Sequence, residues 1–561
     1  MRLDHLRGLA RQALASRAAW PILITLYVLV VLFLLAPVLL APIGGDDGYW
    51  VLDTGPLTHG SLWQAFWQPL SVAFDFDFQP RTTALAFSER RILALLTMKT
   101  SIYFSIPPFI VWAAVKLALM GLSLAAVLVF LRALRFRDSS GAVRGLQRDT
   151  IAFVMIALPL TIAIGAKSQN VRSLNGWNFY PTLAYGPFAF YLLFAAFVLG
   201  MSRRLERNYR RWLVPALLSM TLMGVVVNLS YELLALSIPL NVMLLATAPR
   251  PAEGSLWQRW RAPFTVGATL ALTYTTMFVW IRWQISQMAC HASNTCYVGT
   301  VIEVRPRTLL NNLLGSLPGG TGDFVRERAE LRELPYPGVT PLSVLLPIVA
   351  TALMFALWAA WKARQDPDAG VAKPGGDHRG TLLVVAVGIV IALGSAVVTG
   401  INANAVQQLD TPMLSYRSNV VTWSALAMAG LAVVRLLVTR AWAPLRVGAL
   451  AALTALIVVS IAVNQPRNVF SANDDRIGTR SAFTDSLHRE VAVADPSRAG
   501  DARRCTIITT LLKRLDVVDP RTQRTINGAY AAYEFYHHEP FCSTGAGDPA
   551  PVDQPGGSSA P

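Results

Sequence analysis

Eleven apolar runs of about 20 residues leave this chain few folds to choose from, because a helix of that length matches the ~30 Å hydrocarbon core of a bilayer. They fall at roughly 21–42, 109–131, 150–166, 181–201, 213–229, 232–248, 263–283, 341–360, 381–400, 420–439 and 447–463. Composition agrees: 53% of the 561 residues are hydrophobic and 15% are charged, against about 25% charged in a soluble domain. The 49 Lys and Arg outnumber the 33 Asp and Glu, yet they sit in short clusters between the apolar runs. That is a topological pattern and not a nucleic-acid surface.

An odd number of spans places the two ends on opposite sides. With the N-terminus in the cytoplasm, Arg2, Arg7, Arg11 and Arg17 lie inside, and so do "LRALRFRD", "SRRLERNYRR", "WQRWRAP", "WKARQ" and "TRAWAPLR" at alternate loops. The first run lacks a small-residue cleavage site and exceeds a signal-peptide core, so it reads as a retained helix. The expectation is an all-α polytopic protein of the bacterial cytoplasmic membrane with about 11 transmembrane helices and an extracytoplasmic C-terminus.

The larger connecting segments then face outward: 43–108, 167–180, 284–340, 401–419 and a tail from 464. All four cysteines fall in them, where oxidation is permitted; pairing within each segment, Cys290 with Cys296 and Cys505 with Cys542, is the simplest of three connectivities. In the first loop, "SLWQAFWQPLSVAFDF" and "ALAFSERRILALLTMKTSIYF" have the amphipathic spacing of helices lying on a membrane surface, with Trp63, Trp67, Phe66 and Tyr103 suited to the interface. Residues 1–463 form the transmembrane module. Residues 464–545 read as a small α+β appendage, helical at "AFTDSLHREVAVA" and β-leaning at "CTIIT", and 546–561 as a disordered tail. His537 and His538 have no suitably spaced partners and read as surface residues.

Directly after the first run, "APIGGDDGYWV" places Asp46 and Asp47 at the outer mouth of span 1, ahead of the surface helices. An acidic pair in this position, followed by amphipathic helices in the first external loop, resembles the GT-C superfamily of integral membrane glycosyltransferases. The string "DDGYW" is also similar to the "DDGY" start of the corresponding loop in mycobacterial-type arabinofuranosyltransferases, whose large carbohydrate-binding C-terminal region this chain lacks. The resemblance implies a sugar donor on a polyprenyl phosphate, an envelope glycan or lipid acceptor, and an aspartate base, Asp46 or Asp47, that deprotonates the acceptor hydroxyl for an inverting attack. Two adjacent carboxylates repel, so one holds a proton or a divalent cation such as Mg, Mn or Ca unless a basic group neutralises it. The plainer alternative is that the pair caps span 1.

A leaving phosphate needs positive charge near the outer surface. Candidates are Arg81, Arg90 and Arg91 in the first loop, Lys167 and Arg172, Arg282 at the end of span 7, and Arg417 beside Tyr416 before span 10. Lys116 lies within span 2, where a charge is costly, and reads either as a snorkelling side chain or as a phosphate contact. Glu232, in an outward turn, reads as a turn-stabilising acid or an acceptor for sugar hydroxyls. Asn175, Trp177, Asn178 and Tyr180 combine the rings and amides that bind sugars with the composition of an interface belt. Two other functions share this topology: an O-antigen-type polymerase or ligase, to which Arg305, Arg307, Arg326, Arg328 and Arg332 would suit, and a transporter or flippase, which the nearly charge-free spans oppose.

Overall fold

The computed structural model describes residues 18–43, 45–73, 83–137, 142–167, 181–250, 254–288, 302–319, 338–365, 378–401, 403–408, 418–476, 480–514 and 520–543, with Ser16 and Glu330. In chain order, α1 (Ala19–Leu39) leads through a short turn into α2 (Gly45–Leu57), α3 (Leu62–Ser71) and α4 (Ala84–Phe104). Next come α5 (Pro108–Ala133), the antiparallel strands β1 (Arg135–Arg137) and β2 (Val143–Gly145), α6 (Arg148–Ala163), α7 (Pro181–Arg207) and α8 (Tyr209–Leu229). A 3-10 turn (Glu232–Leu236) opens α9 (Ser237–Thr247), followed by α10 (Leu256–Ser286), α11 (Pro306–Gly315), α12 (Pro341–Ala363) and α13 (His378–Gly400). The remainder is α14 (Ala403–Gln408), α15 (Asn419–Arg440), α16 (Ala443–Arg476), α17 (Arg480–Ala492), α18 (Arg498–Arg514) and α19 (Pro520–His537).

Nine helices among the described residues are long and apolar enough to cross a membrane: α1, α5, α7, α8, α10, α12, α13, α15 and α16. The protein is a helical, multi-pass membrane protein. The other two expected spans, 150–166 and 232–248, are shorter elements. At 16 residues α6 extends about 24 Å, less than a bilayer core, and the run from Glu232 splits into a 3-10 turn and the 11-residue α9. Their apolar faces serve the interior, since Phe153, Val154 and Leu158 of α6 and Leu240 and Leu244 of α9 are buried in the main core. Leu218 of α8, Leu272 of α10 and Val459 of α16 are instead 67%, 67% and 61% exposed, as lipid-facing residues are.

Contacts sort the loops to the two ends of the bundle. At one end Arg203 donates to the Ala133 carbonyl, Arg137 to the Arg250 carbonyl, Arg379 to the Arg137 carbonyl and Arg364 to the Ser16 carbonyl, so the alternate basic loops meet. At the other, Asn464 and Asn468 donate to the carbonyls of Ile164 and Ala166, and Asn312 to the Ala396 carbonyl and the Thr399 hydroxyl, each at 2.9 Å. The spans are less charge-free than their sequence suggests: Arg435 of α15 is buried and held by Asp149 at the start of α6, 2.9 Å away.

The crossing of α13 and α15 depends on a missing side chain. A Cβ on Gly388 of α13 would stand 2.6 Å from the Ala425 carbonyl oxygen and 2.8 Å from the Ala429 Cβ of α15, both fixed atoms. Gly388→Val is therefore expected to lower stability by about 1–3 kcal/mol, through overpacking that only helix separation relieves. A thermal melt of the detergent-solubilised protein that does not move would show that the two helices are not this close.

Beyond the bundle the described part of 464–545 is helical, which corrects the α+β expectation. "CTIIT" lies in α18, where Ile508 is buried among apolar neighbours and Cys505 is bonded to Cys542, so tertiary packing overrides the β preference of Ile and Thr. Nor does a boundary fall at 463, because α16 runs unbroken from the bundle to Arg476. The helices that follow build one core with the first loop: Leu487, Val491, Ile526, Ala529, Tyr533 and Phe541 pack with Ile43, Trp50, Leu52, Leu93, Met98 and Trp112. His537 is likewise not a plain surface residue; its Nε2 is 2.8 Å from the Val491 carbonyl oxygen and its ring lies against Tyr533.

Candidate functional site

The helix α2 carries the acidic pair in its first turn. It forms directly after α1 because the chain leaves the bundle through Ala41, Pro42 and Ile43, all buried, and then finds an apolar seat for Trp50, Val51 and Leu52. Of Asp46 the structure describes the helical backbone. Asp47 is 1% exposed, and its Oδ1 accepts a hydrogen bond from Arg90 Nε of α4 at 3.0 Å. Lys116 of α5 stands close enough to be felt electrostatically by Asp47, and its Nζ donates to the Val38 carbonyl at 3.2 Å. It is fully buried, so it does not snorkel to the outer surface, in contrast to the first of the two sequence readings. The last carbonyls of α1 lack partners within the helix, and a buried cation there is favoured by the helix dipole.

Arginine and aromatic groups extend the cluster. The guanidinium carbons of Arg90 and Arg91 lie 5.8 and 5.3 Å from the Trp50 ring centroid, and Arg91 Nη1 donates to Gln68 Oε1 of α3 at 2.6 Å. Burial works against the charge on Arg91. Several buried polar atoms of this region have no partner among the described residues: the indole nitrogens of Trp50 and Trp112, the hydroxyls of Thr97, Ser101 and Tyr536, and Arg91 Nε. Each orphaned donor costs about 1–3 kcal/mol unless water or a ligand meets it. On α3 the rings of Trp63 and Trp67 are stacked 5.7 Å apart and exposed, the arrangement expected of a membrane-surface helix.

The C-terminal helices clamp the acidic turn. His488 of α17 is buried with Nε2 2.6 Å from the Gly48 carbonyl oxygen, and a side chain at position 48 would meet Thr484 of the same helix. No sequence signal marks His488, 440 residues from its partner. Its imidazole is pushed below the usual histidine range, mainly by burial, with the Gly48 carbonyl and Asp485 opposing.

Further along α2, burial pushes the Asp53 carboxyl up to about 7, with Arg524 pulling it down, and Gly528 of α19 leaves the room that its Oδ1 takes. Since the folded value lies above the unfolded one of about 4, the stability tied to protonated Asp53 is complete below pH ~4 and is lost as pH rises through ~7. His488 acts oppositely, because a histidine held neutral by burial loses its contribution as pH falls through the normal histidine range. The difference between variant and wild type isolates the carboxyl: Asp53→Asn is expected to raise the melting temperature more at pH ~8 than at pH ~5. An equal shift at both would remove Asp53 from the pH response.

The other expected site residues are not gathered here. Glu232 is exposed; it and Arg282 both act electrostatically on Tyr274 of α10, and the Arg282 guanidinium lies 5.5 Å from the Phe278 ring centroid. Lys167 is buried and donates to the Gly315 carbonyl at the C-terminus of α11. Arg81, Trp177, Asn178, Tyr416 and Arg417 lie outside the described residues, as do Cys290 and Cys296. Cys505 and Cys542 are bonded. Asp47 has Arg90 and Lys116 to supply compensating charge, and no cluster of three or more metal-ligating side chains occurs among the described residues, which do not include the Asp46 side chain. The chain matches no protein-family model, no curated protein and no solved structure.

Proposed function

We propose that the protein is an inverting glycosyltransferase of GT-C type, taking a sugar from a polyprenyl-phosphate donor at the outer face of a bacterial cytoplasmic membrane, with its N-terminus inside. The observation that carries this reading is the buried acid–base cluster at the end of α1. Asp47 is committed to Arg90, with Lys116 behind it, and a surface helix with stacked tryptophans lies alongside.

Because Asp47 is already paired, the base falls to Asp46. Its carboxylate takes the proton of an acceptor hydroxyl of an envelope glycan or lipid. The oxygen attacks the anomeric carbon as the bond to the phosphate oxygen breaks on the opposite face, and the polyprenyl phosphate leaves with the electron pair. Arg91, fixed on Trp50 and Gln68, supplies positive charge for that phosphate, and the orphaned Trp and Ser/Thr donors are available to sugar hydroxyls.

The test is mass spectrometry of polyprenyl-phosphate sugars and envelope glycans from cells lacking the gene. An accumulated lipid-linked monosaccharide with one missing glycan residue supports the reading. Loss of a whole oligosaccharide transfer would replace it with a polymerase or ligase, and substrate movement without a covalent product with a transporter.

A further inference from the structure

At the end of the bundle away from Asp47, the C-termini of α5, α7 and α9 converge beside the β1–β2 hairpin and enclose a cavity of about 200 Å3. Leu199 and Leu383 give it apolar wall, while Arg135, Arg203, Arg250 and Glu206 also line it. Among the described residues, three guanidiniums against one carboxylate leave a surplus of two positive charges. Helix-end carbonyls hold each guanidinium in place. Arg203 donates from Nε to Leu199 at 3.0 Å and from Nη2 to Ala133 at 2.6 Å, Arg135 from Nη1 to Arg132 at 2.9 Å, and Arg250 from Nη2 to Ala246 at 2.9 Å. These bonds occupy part of each fork. Arg250 Nε is buried and donates to nothing among the described residues.

Like charges gathered in a partly apolar cavity, with an orphaned charged donor among them, are costly unless an anion completes them. We propose that this cavity binds a phosphate monoanion, and that the headgroup of an anionic phospholipid supplies it. The ends of the spans set the cavity at headgroup depth. Its apolar wall suits the stem of a lipid, and a fork of fixed arginines matches phosphate geometry in pairs. Glu206, facing the same space, weakens anion binding and keeps the site exchangeable.

Native mass spectrometry of the purified full chain, delipidated and offered palmitoyl-oleoyl phosphatidylglycerol or phosphatidylcholine, tests this directly. Wild type is expected to retain the phosphatidylglycerol about 10-fold better, and an Arg203→Gln/Arg250→Gln double variant to lose that preference. Glu206→Gln, which leaves the capping arginines intact, is expected to raise it by roughly 2- to 5-fold through removal of a like charge. Displacement of the lipid by millimolar inorganic phosphate would identify the free ion as an equal occupant of the same phosphate site. Equal retention of both lipids by wild type without any phosphate binding, or a Glu206→Gln preference no different from wild type, would overturn the proposal even if the double variant fails to fold.

Discussion

Asp46→Asn is expected to reduce sugar transfer by about 10²- to 10⁴-fold in a protein that melts normally, while Asp47→Asn is expected to lose roughly 3–5 kcal/mol of stability before its chemistry can be read. The two side chains are neighbours in sequence and differ in what they have to do. Asp47 carries the negative charge beside Arg90 and near the buried Lys116, so an amide in its place removes that charge from both. Asp46, as the proposed base, loses only its capacity to accept a proton when its oxygen is replaced by an amide nitrogen. Transfer from a purified lipid-linked donor, measured beside a thermal melt of the solubilised protein, separates the outcomes. An Asp46→Asn protein that melts normally and transfers at near wild-type rate would reduce the pair to a helix cap. The search for a base would then move to Glu232 and to Asp75 and Asp77 of the first external loop, which lie outside the described residues.

Breaking the bond between Cys505 and Cys542 should be nearly as damaging to the C-terminal helices. The bridge spans 37 residues and ties α18 to the segment after α19, and a loop of that length is worth about 4 kcal/mol on a chain-entropy scale. Arg504 reinforces it, donating from Nε to the Phe541 carbonyl at 2.6 Å, and Ser543 donates from Oγ to Asp501 at 2.7 Å. Cys542→Ser is expected to expose α19 to limited proteolysis under conditions where the wild-type chain is resistant. If the cleavage rates coincide, the bond is dispensable and the shared apolar core alone orders these helices.

What the sequence made legible was whatever a single segment carries. Long apolar runs report their own length, and nine of the eleven return as helices able to span a membrane. The two that do not are bounded by turn geometry: the turn at residues 164–166, before Lys167, ends α6, and the 3-10 turn at Glu232 divides the other. The amphipathic pattern of the first loop was equally local and returned as α3 and α4. The candidate site depends on distant pairs instead. Asp47 and Arg90 are 43 residues apart, and His488 reaches Gly48 across nearly the whole chain, so neither pairing leaves a periodic trace. Lys116 was conspicuous as a charge within a span, but its partner is a backbone carbonyl of α1, and a carbonyl has no letter in the sequence.

The unbroken α16 has a consequence for how this chain tolerates change in length. Its 34 residues rise about 51 Å, some 20 Å more than a bilayer core, so the same rod that is anchored by Asn464 and Asn468 also sets the azimuth at which α17 arrives over α2. One residue inserted between Asn468 and Arg476 would turn the end of α16 at Arg476 by about 100° and raise it by about 1.5 Å. The contacts of Thr484 and His488 with the Gly48 turn would then have to be reached from a displaced helix end, without any change to their own sequence. Insertions here should be tolerated only in steps of three or four, near a whole helical turn, whereas single substitutions on the exposed side of the rod should pass unnoticed.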